Sequence, residues 1–150
     1  EIANYLLTKH FATAADYTVA NKFSVGTSME IISSSALSRV KQFFPNAEYS
    51  EYMTWYFQNN PKYFKLNFVD LPTEWIRDFR LTLDYQEDLD VFNQIESHFK
   101  INNLDYSIEE LYKFLDENPK VNQLNSHISL VYKTDQDLIK ILNKKTKIHE

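Results

Sequence analysis

The apolar period of this chain changes within one short stretch, and that change restricts the fold more than any other feature. From Arg80 to Asp84 the residues alternate. Leu81 and Leu83 share one face, and Arg80, Thr82 and Asp84 share the other, as side chains on a strand do. Beyond Asp84 the spacing becomes three or four, and Leu89, Phe92, Ile95 and Phe99 form the stripe of an amphipathic helix. The stretch predicts a short strand running into a helix. A cation, a hydroxyl and a carboxylate then line one strand edge, with the carboxylate at the strand end, where ligands of open α/β sheets bind. The same residues fit a helix start, with Asp84 as N-cap and Glu87 reaching back from the third helical position. The two roles are compatible.

The rest of the chain interleaves the same two periods. A helix is expected over residues 1–11, a strand over 16–20 with Tyr17 and Val19 on one face, a turn at Val25-Gly26-Thr27-Ser28 and a short strand over 30–32. Ser33 to Ser35 offer N-caps for a helix carrying Leu37, Val40 and Phe44, and an aromatic-rich helix follows over 50–59. Phe64 to Phe68 alternate as a half-buried strand does. After Lys100 the pattern is helical. Ser107-Ile-Glu-Glu110 is a capping box ahead of Ile108, Leu111, Tyr112 and Leu115, and Asn118-Pro119 ends that helix. A short helix or turn is expected at Val121, Leu124 and Ile128, and Thr134 to Asp137 precede a last helix with Leu138, Ile139, Ile141 and Leu142. This order argues for an α/β domain with a helical tail. The 150 residues suffice for one domain with one core.

Composition removes several chemistries. Gly26 is the single glycine, against an average near 7%. Loops that cradle phosphates need several glycines so that backbone amides can approach the anion; this chain carries neither a dinucleotide fingerprint nor a P-loop. No cysteine is present, which excludes disulfides, zinc–thiolate sites and cysteine nucleophiles and is compatible with a reducing compartment. A net charge of −5 with mixed signs disfavours nonspecific nucleic-acid binding. No apolar run approaches the ~20 residues of a membrane helix. His10, His98, His127 and His149 lack metal-ligand spacing, and no Gly-x-Ser-x-Gly elbow occurs. Carboxylates near element ends remain: Glu30, Glu51, Asp84 and Asp88. The chain opens on Glu1 already in helical spacing, so a start inside a larger protein is expected.

Arg80-Leu-Thr-Leu-Asp84-Tyr-Gln-Glu-Asp-Leu89 resembles the Arg-x-Thr-x-Asp-x-x-Glu-Asp-Leu signature of cytidylyltransferase-like proteins. The branch it resembles is that of spore-coat polysaccharide biosynthesis, related to the acylneuraminate and deoxy-octulosonate cytidylyltransferases. Gly26-Thr-Ser-Met-Glu30-Ile-Ile is similar to that branch's Gly-x-x-x-Glu-Val segment. Ser107 to Pro119, with Leu124-Asn125, resembles its closing helix and Asn-Pro turn. The resemblance implies the carboxy-terminal part of a Rossmann-like nucleotide-diphospho-sugar transferase fold. The reaction it implies is transfer of CMP from CTP to a sugar or sugar acid by a cytoplasmic enzyme.

By the same resemblance Asp84 matches an aspartate that helps bind catalytic Mg²⁺, and Arg80 and Thr82, on its face, can reach phosphate or sugar. Arg80 serves equally well as a structural ion-pair partner. Glu30 and Glu51 fall in matched segments and are further substrate-binding candidates, although a turn or strand-end contact accounts for Glu30 as well. Two departures stand out. Relatives carry Arg-Glu-His-Val-Thr where this chain has Ser50-Glu51-Tyr52-Met53-Thr54. The family's amino-terminal part, with its basic glycine-containing nucleotide loop and first metal aspartate, has no counterpart here. The chain alone is therefore expected to turn over no nucleotide, and pairing into a homodimer is expected. The competing reading is a non-catalytic interaction or oligomerisation domain that reuses the fold.

Overall fold

The structure, a computed structural model, describes residues 1–149. In chain order the elements are α1 (Ile2–Thr13), β1 (Tyr17–Ala20), β2 (Ile31–Ile32), α2 (Ser34–Phe43), α3 (Met53–Gln58), β3 (Leu66–Val69), α4 (Gln86–Asn102), α5 (Ile108–Glu117), α6 (Pro119–Asn122), α7 (Val131–Thr134) and α8 (Gln136–Lys145). The fold is mixed α/β, and the described chain divides into two compact units. No helix of the described residues is long and apolar enough to cross a membrane.

The first unit comprises residues 3–20, 29–69 and the chain from Leu130 onward. Its sheet has the order β2-β1-β3. β1 pairs antiparallel with β2, Tyr17 opposite Ile32, and parallel with β3, Tyr17 opposite Leu66 through Ala20 opposite Val69. As the central strand, β1 is buried at all four residues rather than on the single face that alternation predicts. Its other face is covered too: Thr18 sits under His10 of α1, whose Nδ1 lies 2.9 Å from the Thr18 hydroxyl. The strand entrance is fixed by Asp16, which accepts from the Lys65 amide at 2.8 Å and pairs with Arg39 at 2.7 Å. Behind the sheet, Tyr17 stacks on Phe57, and Phe57 meets Phe64 edge-on. Ser33 caps α2 as expected, accepting from Ala36 N–H. The strand foreseen at Phe64 begins two residues later, because Phe64 still closes the turn from Asn60. Within β3 the expected face is reversed at its end, with Phe68 exposed and Val69 buried.

The second unit comprises Glu1–Ile2, Asn21–Ser28 and Asp70–Ser129. Its core gathers Phe79, Leu81, Val91, Ile95, Phe99, Tyr112, Phe114 and Leu115. Ser107 caps α5 by accepting from Glu110 N–H, the foreseen contact. The strand expected over 80–84 is reduced to one parallel bridge between Val25 and Arg80, closed by Val25 N–H to Phe79 O at 2.9 Å and Leu81 N–H to Val25 O at 2.7 Å. The backbone N–H groups of Asp84 and Tyr85 are taken by a side chain instead. The stripe of α4 is rotated as well. Asp88, Val91, Ile95 and Phe99 are buried, whereas Leu89 is exposed. The helix starts one residue later than foreseen, with Tyr85 rather than Asp84 at the N-cap position.

Candidate functional site

Arg80 leaves the Val25 bridge with its side chain 6% exposed. A guanidinium at such depth needs a counter-charge, and Asp88, fully buried on the first turn of α4, supplies it. Arg80 Nε donates to Asp88 Oδ1 at 2.9 Å and Arg80 Nη2 to Oδ2 at 3.0 Å, a two-pronged pair. The backbone N–H groups of Asp84 and Tyr85 also donate to Oδ2, at 3.0 and 3.2 Å. Asn125, from the turn after α6, donates its amide to Oδ1 at 2.8 Å and to the Arg80 carbonyl at 2.9 Å. Both partners of that amide only accept, so the NH₂ must face them. The Asn125 Oδ1 is buried with no hydrogen-bond partner among the described residues. Burial pushes the Asp88 carboxyl up, but the Arg80 guanidinium, the Asp84 and Tyr85 amides and Asn125 outweigh it and hold the pKa at about 2. Hydrogen bonding to Asp88 likewise holds Arg80 charged beyond its ordinary range.

Asp84 stands outside this cluster. Its side chain is 60% exposed, and one oxygen, Oδ2, accepts from Arg80 Nη2 at 2.9 Å. The Thr82 hydroxyl oxygen is buried and has no partner among the described residues. Gly26 packs against the neighbouring backbone. A Cβ added there would lie 1.9 Å from the Leu81 carbonyl oxygen, and its φ of 93° is in the left-handed region. Next to it the Thr27 hydroxyl donates to Ser24 O at 2.8 Å and lies 3.3 Å from the Tyr112 hydroxyl.

The two remaining candidates belong to the first unit. Glu30 is exposed, and its Oε1 accepts from the buried Tyr17 hydroxyl at 2.8 Å and from the Thr54 hydroxyl. Burial first, and then the Glu30 charge, push the Tyr17 phenol above its ordinary range. Glu51 is exposed in the helical turn Ser50–Tyr52 before α3. The structure thus brings Arg80, Thr82 and Asp84 into one segment and places Glu30 and Glu51 in a different unit. Asp88 was singled out only as one carboxylate near an element end. Its position three residues past the N-cap, where an acid reaches back to the backbone, was the available signal.

Mg²⁺ takes one or two carboxylates along with substrate phosphates and water. Asp88 is engaged by five donors, and among the described residues no three His, Asp or Glu side chains form a metal-binding group. Asp84 fits as a single carboxylate toward an ion that arrives on phosphates. Beside it, a cavity of about 570 Å³ is lined chiefly by Leu83, Phe92, Phe99, Tyr106, Ile108 and Leu111, with Tyr106 stacked on Phe99 at 4.8 Å.

No family model matches the chain, and no solved structure matches it. Over 125 residues it is 30% identical to an uncharacterized protein of Methanocaldococcus jannaschii, a match covering 83% of this chain and 49% of that protein. The chain spans about half the length of that relative.

Proposed function

We propose that this chain is the carboxy-terminal part of a nucleotidyltransferase that moves CMP from CTP to a sugar or sugar acid, on a Rossmann-like scaffold. One observation carries the reading. Residues from all three stretches that resemble the cytidylyltransferase-like proteins, up to a hundred positions apart, meet in one unit, while the first stretch from Met29 onward belongs to the other. Gly26 rests on the Leu81 backbone, Thr27 reaches Tyr112, and Asn125 holds both Arg80 and Asp88. Most of the shared residues thereby acquire an architectural reason: they build one corner. Asp84 is the member of that corner whose charge faces outward.

In this reading Arg80 works as a support. Its Nη2 holds one oxygen of Asp84, and its other contacts hold Asp88. Asp84 presents a carboxylate to a Mg²⁺–phosphate group, where the ion, when bound, offsets phosphate charge. Glu30, held by Tyr17 and Thr54, is an oriented acceptor suited to a sugar hydroxyl.

The test is pyrophosphate release by the protein of the complete reading frame, assayed with each nucleoside triphosphate, Mg²⁺ and a panel of sugars and sugar acids. CTP-dependent release that Asp84→Asn nearly abolishes is the expected result. Absence of release with every pair sinks the proposal, as does robust turnover by this chain alone. The apolar cavity beside Leu83 favours a second reading, a domain that pairs with another copy or a protein partner, because exposed apolar surface of this kind marks interfaces. A sedimentation coefficient that falls on Leu83→Glu, together with no nucleotidyl transfer, is the outcome that selects it.

A further inference from the structure

We infer that Asn125 and Asp88 are positioning residues for Asp84, acting on it through Arg80 and through its own backbone; the inference rests on the nucleotidyl-transfer reading. An exposed aspartate ordinarily rotates about two torsions, and its carboxylate samples several directions. Here two restraints act on it. Its N–H is bound to Asp88 Oδ2 at 3.0 Å, and its own Oδ2 is bound to Arg80 Nη2 at 2.9 Å. Both partners are immobile, since Asp88 is 0% and Arg80 is 6% exposed.

Asn125 ties them together. It is 1% exposed, comes from a turn some 40 positions along the chain, and joins the Asp88 carboxylate to the Arg80 carbonyl with one NH₂ group. Removing that amide takes one of five donors from Asp88 and the hydrogen bond from the Arg80 carbonyl, which loosens the base from which the guanidinium holds Asp84. Asp84 then keeps its charge and loses its fixed direction. Outer residues that orient a ligand toward a metal typically change affinity or activity about 10- to 100-fold when removed.

The test uses the protein of the complete reading frame with Asp84→Asn, Asn125→Leu and the double variant. Leucine keeps the branched outline of asparagine and removes the donor. Single-turnover rates keep slow variants measurable. Asn125→Leu is expected to lower kcat about 10- to 100-fold with a smaller change in KM for CTP. The double variant should be no slower than Asp84→Asn, because both changes remove one effect. In this chain, the Arg80 Nε–H resonance should be sharp and slowly exchanging with solvent, and Asn125→Leu should accelerate that exchange. If Asp84→Asn turns over like the wild type, the functional reading is lost and the inference goes with it. If Asp84→Asn is slow while Asn125→Leu is not, or the two losses multiply, the positioning role alone is overturned. Should Asn125→Leu fail to fold, rapid Arg80 Nε–H exchange in the unaltered chain still overturns it.

Discussion

Asp88→Asn is the substitution that most directly tests the corner. The change is nearly isosteric, so packing is preserved, and the structure says what is lost. Every group around the carboxylate is a donor: Arg80 Nε and the Asn125 amide at Oδ1, Arg80 Nη2 and the Asp84 and Tyr85 amides at Oδ2. An asparagine offers one oxygen and one NH₂. Pointing the NH₂ at the Oδ1 position sets it against two donors, and pointing it at the Oδ2 position sets it against three. Even the better orientation breaks two hydrogen bonds to a charged acceptor, each worth about 1.5–3 kcal/mol. It also leaves buried Arg80 with only the exposed Asp84 as counter-charge. The expected loss is about 3–5 kcal/mol, the range for breaking one side of a buried ion pair.

Replacing the pair by apolar residues is often harmless elsewhere. Here Arg80→Met with Asp88→Leu should not rescue stability, because the Asp84, Tyr85 and Asn125 donors still need an acceptor. The assay is urea unfolding followed by fluorescence in a Trp55→Phe background, where Trp75 reports on the unit that contains Asp88. If Asp88 merely caps α4, removing it altogether costs only about 0.5–2 kcal/mol, and asparagine should cost less. A loss below about 1 kcal/mol for Asp88→Asn refutes the reasoning.

Three further outcomes follow from the same geometry. Gly26→Ala should destabilise by more than the roughly 1–2 kcal/mol of a left-handed residue, because the new Cβ meets a backbone carbonyl that cannot rotate away; a urea midpoint near the wild-type value contradicts this. The folded pKa of Asp88, about 2, lies below its unfolded value. The stability it contributes is therefore present above roughly pH 4 and lost as pH falls toward 2; Asp88→Asn should flatten the acid limb of a circular-dichroism titration, and an unchanged limb rejects the assignment. In the first unit, Asn60 donates to Tyr56 O and Thr146 O and accepts from Ile148 N–H, so Asn60→Ala should raise amide exchange at Ile148 severalfold while exchange in β1 stays slow; equal protection in both proteins argues against that tether.

Helices and caps were the legible part of this fold. Ser33 and Ser107 act as caps where spacing placed them, and Asp135 caps α8 within the foreseen Thr134–Asp137 segment, because a cap depends on three or four neighbouring residues. Strands fared less well, since a strand exists only if a partner lies beside it. Residues 66–69 found β1 and became β3. Residues 80–84 alternate better but found only Val25, and alternation cannot tell the two cases apart. Left-handed positions were also hidden. With one glycine in the chain, α1 ends at Ala14 and α4 at Asn103, both with positive φ, and alanine gives no warning of that.

The candidate site shows the same division for a different reason. Arg80, Asp84 and Asp88 all lie in one ten-residue stretch, yet alternation grouped Arg80 with Asp84 and left Asp88 aside. Charge and exposure reverse the emphasis. A buried guanidinium selects the carboxylate that can be buried with it, and α4 provides that at its third position, where the helix start offers two backbone N–H groups to the same oxygen. Asp84, one turn earlier and outside the helix, receives only the remaining hydrogen of Nη2. Asn125 was invisible because its role depends on two acceptors that meet only after folding. The outward carboxylate is therefore defined by elimination within the corner: Asp88 takes Nε and one hydrogen of Nη2 and is itself engaged by five donors, and Asp84 keeps an exposed charge beside them.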